Sequence, residues 1–101
     1  MKVKKQKEIK KDEFRRNKEN QHPAYIFARV GNEYKFLGIT HSEITHGTKN
    51  IRLDKNPNPN DKKTAYARPQ AERQNVNRFK KKNTNWKMSK SDKQKLRRFM
   101  K

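Results

Sequence analysis

Gly31-Asn32 lies between two runs, Ala24 to Val30 and Glu33 to His41, that are rich in aromatic and β-branched residues. Glycine tolerates the positive φ needed at the first central position of a type II′ turn, so the dipeptide closes an antiparallel hairpin over 24–41. With Val30 opposite Glu33, strict alternation sets Arg29 against Tyr34, Phe27 against Phe36, Ile26 against Leu37 and Ala24 against Ile39. Both faces of such a hairpin are partly apolar. A lone hairpin is marginal in water, and a sheet with two apolar faces needs a helix on one and packing or a ligand on the other.

The flanking sequence supplies candidates for that cover. Residues 1–21 contain good helix formers, no Gly or Pro, and Asp12/Arg16 and Glu8/Lys11 pairs at helical spacing, which predicts an N-terminal helix docked by Ile9 and Phe14. Ser89-Lys90-Ser91-Asp92 has the form of a capping box and predicts a short basic helix over 90–100, with Leu96, Phe99 and Met100 on one side. Ile51-Arg52-Leu53 and Ala65-Tyr66-Ala67-Arg68 are candidates for further short strands. Between them, Asn56-Pro57-Asn58-Pro59-Asn60-Asp61 has the composition of a rigid turn, and Ser42 to Asn50 reads as an ordered loop. The expected class is α+β: an N-terminal helix, an antiparallel sheet of three to four strands built on the 24–41 hairpin, and a short basic C-terminal helix. The chain divides into a basic helical segment 1–21, a small core 22–69, and a basic extension 70–101.

Only 28% of the 101 residues are hydrophobic, so one small core with solvated flanks is expected and two domains are excluded. The absence of Cys rules out disulfides, thiolate metal sites and Cys nucleophiles, in keeping with a reducing compartment. No apolar run approaches membrane-spanning length, and the basic start Met1-Lys2-Val3-Lys4-Lys5 leads into no secretory signal, so the expectation is a cytoplasmic protein without a membrane partner. The sequence leaves the oligomeric state open.

Lys and Arg number 29 against 10 Asp and Glu, a net charge of +19, which is far above what solubility asks of a small domain. Nucleic acid, with RNA favoured over DNA, is the expected partner of such a surface. The last third carries 12 Lys and Arg against two acids. There Arg73, Arg78, Lys80, Lys81, Lys82, Lys87, Lys95, Arg97 and Arg98 are the expected phosphate contacts, joined from the core by Lys49 and Arg52. The plainer alternative is a solvated tail that keeps the protein soluble. Phe79 and Trp86 lie within this basic stretch, where they either stack on bases or anchor the tail to its own core. The hairpin aromatics Tyr25, Phe27, Tyr34 and Phe36 likewise offer a stacking platform, although a chain so poor in apolar residues needs them for burial.

The densest chemical cluster is Thr40-His41-Ser42-Glu43-Ile44-Thr45-His46-Gly47-Thr48-Lys49-Asn50 with Arg52. RNA cleavage without metal needs a base for the ribose 2′-hydroxyl, an acid for the leaving oxygen, and cations for the phosphate. His41 and His46 can transfer the protons, Thr45 is a nearby hydroxyl, and Lys49 with Arg52 can hold the phosphate. The competing reading makes His41 a strand end, His46 a loop residue, and the hydroxyls partners of turn backbone. No metal site is expected, since His22, His41, His46 and Glu43 lack a recognised ligand spacing. Without a Gly-rich phosphate loop or G-x-S-x-G, neither a cofactor nor esterase chemistry is expected.

The stretch His22-Pro23-Ala24-Tyr25 through Gly31, then Gly38-Ile39-Thr40-His41-Ser42, Leu53-Asp54-Lys55-Asn56-Pro57-Asn58-Pro59 and Ala65-Tyr66, resembles small basic proteins of phages and mobile elements. In layout, residues 22–69 are similar to the ribonuclease superfamily that groups barnase, EndoU, colicin nucleases and RelE toxins. That resemblance implies an N-terminal helical part packed on an antiparallel sheet of about four strands, and metal-independent RNA cleavage by 2′-hydroxyl attack. The positions with fitting residue types are His41, His46, Thr45, Lys49, Arg52 and Tyr66. The functional expectation is therefore a nucleic-acid binder working through phosphate contacts, with a metal-independent ribonuclease as the alternative. A third reading is a component of a larger ribonucleoprotein whose tails order on binding.

Overall fold

A computed structural model describes residues 7–101. In chain order the elements are β1 (Glu8–Arg16), β2 (Pro23–Val30), β3 (Glu33–Thr40), β4 (Ile44–Thr45), β5 (Thr48–Lys49), β6 (Ile51–Arg52), β7 (Tyr66–Ala67), β8 (Glu72–Asn75) and α1 (Lys90–Leu96). Single 3₁₀ turns occupy Val76–Arg78 and Arg97–Phe99. Every strand pairing is antiparallel. The main sheet runs β1-β2-β3-β7-β6, with β8 also on β3, while β4 and β5 form a separate ribbon. Along the free edge of β3, β7 and β8 act as one interrupted strand. Arg68 N donates to Gly38 O at 2.8 Å, the ladder breaks at Pro69, which has no N–H, and it resumes where Glu72 faces Phe36.

The α+β expectation is thereby corrected: the protein is mostly sheet, and its one α-helix is C-terminal. Where a helix was expected over 1–21, residues 8–16 are a strand, and residues 1–6 lie outside the described residues. The helical N-terminal part that the ribonuclease layout implies is accordingly absent from the described residues. The physical reason is tertiary pairing. Glu, Lys and Arg favour a helix intrinsically, but a segment with one well-placed large apolar residue gains little by docking as a helix. As a strand it pairs along β2 and sets Phe14 in the core, 1% exposed.

The hairpin forms with Gly31 at φ +59° and with Val30 opposite Glu33 and Arg29 opposite Tyr34, as expected. Beyond those pairs a bulge at Phe27 moves the register by one, so that Ile26 faces Phe36, Tyr25 faces Leu37 and Ala24 faces Gly38. The expected pairs Phe27–Phe36, Ile26–Leu37 and Ala24–Ile39 are replaced. A second irregularity lies between Lys10 and Glu13 of β1. Bulges bend strands, and the sheet curls until its ends meet. Lys80 N donates to Arg16 O and Asn83 N to Phe14 O on the outer edge of β1, and Asn17 Nδ2 reaches Gln74 Oε1 of β8 at 2.8 Å.

The curled sheet buries both faces. Inside, Ala24, Ile26, Tyr34 and Phe36 enclose Phe79, whose ring stands edge-on to Tyr34 and Phe36 at 5.5 and 5.2 Å. On the other face, Phe14, Tyr25, Phe27, Leu37 and Ile39 pack under Met88 and Leu96, with Trp86, Phe99 and Met100 at the margin. Helix α1 begins as its capping box predicts: the Ser89 hydroxyl accepts from Asp92 N, and Asp92 is fully buried. The core thus draws on all three zones of the sequence. Among the described residues no helix is long and apolar enough to cross a membrane.

Tyr25 is 2% exposed and its hydroxyl donates to Asp12 Oδ1 at 2.8 Å. Burial, then that hydrogen bond, then the Asp12 charge hold the phenol well above its ordinary value of 10.0. A raised folded-state value contributes stability that is complete below the unfolded value and is lost as pH rises above it. Unfolding midpoints measured across alkaline pH should therefore fall above about pH 10, and Tyr25→Phe should flatten that fall.

Candidate nucleic-acid interface

Seven of the ten acids already form ion pairs with Lys or Arg on the protein itself, and Asp61 bonds His41. Arg73 pairs with Glu33 at 2.9 Å, Arg78 with Glu19 at 3.4 Å, and Lys95 with Asp54 at 2.9 Å. By contrast, Lys49, Arg52, Lys80, Lys81, Lys82, Lys87, Arg97 and Arg98 are exposed and have no ion pair among the described residues. The densest group follows from the way the sheet closes. Residues 78–83 run along the outer edge of β1, so Lys80, Lys81 and Lys82 lie beside Arg15 and Arg16, and Arg15 Nη1 donates to Lys80 O at 3.0 Å. A basic band thus marks that edge.

The aromatic residues divide. Phe79, 5% exposed, belongs to the core, and so do Tyr25, Phe27, Tyr34 and Phe36, each no more than 9% exposed. Those four point to opposite faces and form no common platform. Trp86 is half-buried, packs on Phe14 at 5.6 Å, and carries the Arg16 guanidinium over its ring at 5.5 Å. It therefore anchors the tail and still reaches the surface.

The His41 cluster is spread out. His46 and Gly47 both have positive φ, +49° and +77°, and form the tight turn of the β4–β5 ribbon, with His46 exposed at its tip. Asn50, 4% exposed, holds that ribbon by donating to Ser42 O at 2.9 Å and to Thr45 Oγ1 at 2.7 Å. Tyr66 is paired in β7 between Thr40 and Arg52, and Lys95 Nζ donates to Arg52 O. His41 faces the other way: its Nε2 lies 2.6 Å from Asp61 Oδ2. Two clefts flank the Pro23 and Thr40 backbone. One, of about 260 Å3, is lined by His46, Thr45, Arg68 and Gln74; the other, of about 350 Å3, by His41, Asp61, Arg16 and Trp86. His22 lines both, while His41 and His46 line different ones.

The Asn/Pro loop shapes the second cleft. Asn58 N donates to Asn56 Oδ1, Asn60 N to Asn58 Oδ1, and Lys63 N to Asp61 Oδ1, so each Asx side chain fixes backbone two residues on. The Lys63 N–H first, and His41 second, hold the Asp61 carboxyl below its usual range. Sequence reasoning missed Asp61, His22 and Arg16 as partners of this cleft. The Asn-Pro alternation signalled a rigid loop, but nothing local shows that it returns to the end of β3. Among the described residues no group of three His, Cys, Asp or Glu is placed to hold a metal ion. The chain matches no protein-family model, no curated protein and no solved structure.

Proposed function

We propose that the protein binds nucleic acid, RNA in preference to DNA, chiefly through backbone phosphates. The supporting observation is the charge balance of the folded surface: most acids are neutralised within the molecule, while the Lys80–Lys82 band and the Arg97-Arg98 pair have no acidic partner among the described residues. Exposed ion pairs add little to stability, so folding does not account for such an excess. Phosphate contacts use that kind of surface directly. RNA is favoured because cations here adjoin a half-exposed tryptophan and several amides, a mixture that suits unstacked bases. Cleavage is left out of the proposal: His41 engages Asp61, and His46 lies on a separate ribbon.

The band can be tested directly. Alanine at Lys80, Lys81 and Lys82 together should weaken binding to single-stranded RNA and lower the slope of log affinity against log salt by about 2. Fluorescence anisotropy over a salt series reads that slope. An unchanged slope would remove the band from the interface.

A further inference from the structure

The 350 Å3 cleft combines three kinds of group in a definite arrangement. Its interior is amide-lined, with Arg16 and the His41–Asp61 pair among the lining residues. A cation stands beside it: Lys80 Nζ bonds Gln21 Oε1 of the lining. The Arg16 guanidinium lies over the Trp86 ring at 5.5 Å.

Two of the amides are oriented by the fold. Asn20 Oδ1 accepts from His22 N at 2.9 Å and Asn58 Oδ1 from Asn60 N at 3.0 Å. With each carbonyl oxygen so engaged, the two Nδ2 groups are fixed donors that have no hydrogen-bond partner among the described residues. Base edges are read by such donors, and bases stack on aromatic rings and on Arg planes. The volume lies in the range of small-molecule sites.

We propose that this cleft takes the base of one unstacked nucleotide of a single strand, with Asn20 and Asn58 donating to oxygen acceptors on its edge and Arg16 and Lys80 holding the adjoining phosphates. The inference rests on the nucleic-acid reading and deepens it: the band supplies affinity for any strand, while the cleft requires a base free of its stack. Bases with exocyclic oxygens, uracil and thymine among them, fit two donors better than adenine does. His41, bridged to Asp61, holds one wall of the cleft.

Trp86 is the only tryptophan in the sequence, so a change in emission that single strands cause and bound duplex does not reports on this cleft. The probes are a short oligouridylate, the matching oligothymidylate and oligoadenylate, and a duplex of equal length, with binding measured separately by anisotropy. Saturable change in Trp86 emission is expected with the uridine and thymidine strands, weaker change with adenosine, and none with bound duplex. Asn58→Asp keeps the Oδ1 acceptor and removes the donor. It should weaken oligouridylate binding about threefold to tenfold, beyond the effect of the same charge change at the exposed Asn77→Asp, and leave duplex binding equal to that control. If single strands bind with salt dependence but Trp86 emission does not change, or changes equally with duplex, the cleft is not a base site while the binding function stands. If no probe binds, the functional reading itself falls.

Discussion

Asp92→Ala is expected to destabilise the fold by about 3 kcal/mol or more. The carboxylate is 0% exposed and accepts from Asp54 N at 2.7 Å, from Lys55 N at 3.2 Å and from the Ser89 hydroxyl at 2.8 Å, with Lys95 Nζ 3.5 Å away. It thus holds the Ser89 hydroxyl at the start of α1 and binds that helix to the chain that follows β6. Alanine strips the acceptor from two backbone donors and leaves Lys95 without one of its anions. Each donor left without its acceptor costs about 1–3 kcal/mol, whereas the Ser89 cap on the residue-92 backbone N–H is retained. In a chain of this size each kcal/mol moves the thermal midpoint by about 4–8 °C, so a drop of more than about 12 °C is expected by circular dichroism. Asp92→Asn, which retains one oxygen, should lose less. A midpoint for Asp92→Ala within a few degrees of the parent would show that α1 is held by Leu96 and Met88 alone.

The hairpin, its turn and the helix cap were legible because each rests on local chemistry: Gly31 at positive φ, and Ser89 with Asp92 three residues on. The apolar double face of the hairpin also correctly demanded cover from a helix, although the cover comes from 90–96 and not from the N-terminus. What stayed hidden depends on partners distant in sequence. β1 reads as a helix because its charges lie at helical spacing, and only pairing with β2 makes it a strand. β8, Glu-Arg-Gln-Asn, has no apolar signature and is held by its ladder to β3. The bulge at Phe27 lets both Phe27 and Ala28 serve the α1 side of the sheet, which strict alternation excludes.

The candidate site shows the same division. The excess of charge and the chemical promise of His41 were visible, but its partner Asp61 is 20 residues away along the chain. The proximity of His46 in sequence was misleading, because the β4–β5 turn carries it outward. Trp86 was open between base stacking and core anchoring, and the structure gives it contact with Phe14 as well as a place on the cleft.

The second large effect follows from the charge itself. When the unpaired Lys80, Lys81, Lys82, Arg97 and Arg98 neutralise phosphates, the cations condensed on the nucleic acid are released. Added salt then opposes binding in proportion to the number of phosphates engaged. For about six to ten contacts to a single strand, affinity falls by about 300-fold to 10⁴-fold between about 50 and 200 mM salt. A tail serving only solubility, or a binder relying on base contacts alone, would show a much weaker dependence. Measuring the association constant of the whole chain for RNA across that range of salt is the most direct test. A straight, steep decline of log affinity with log salt is the predicted result, and binding that is absent at low salt or indifferent to salt would contradict the account.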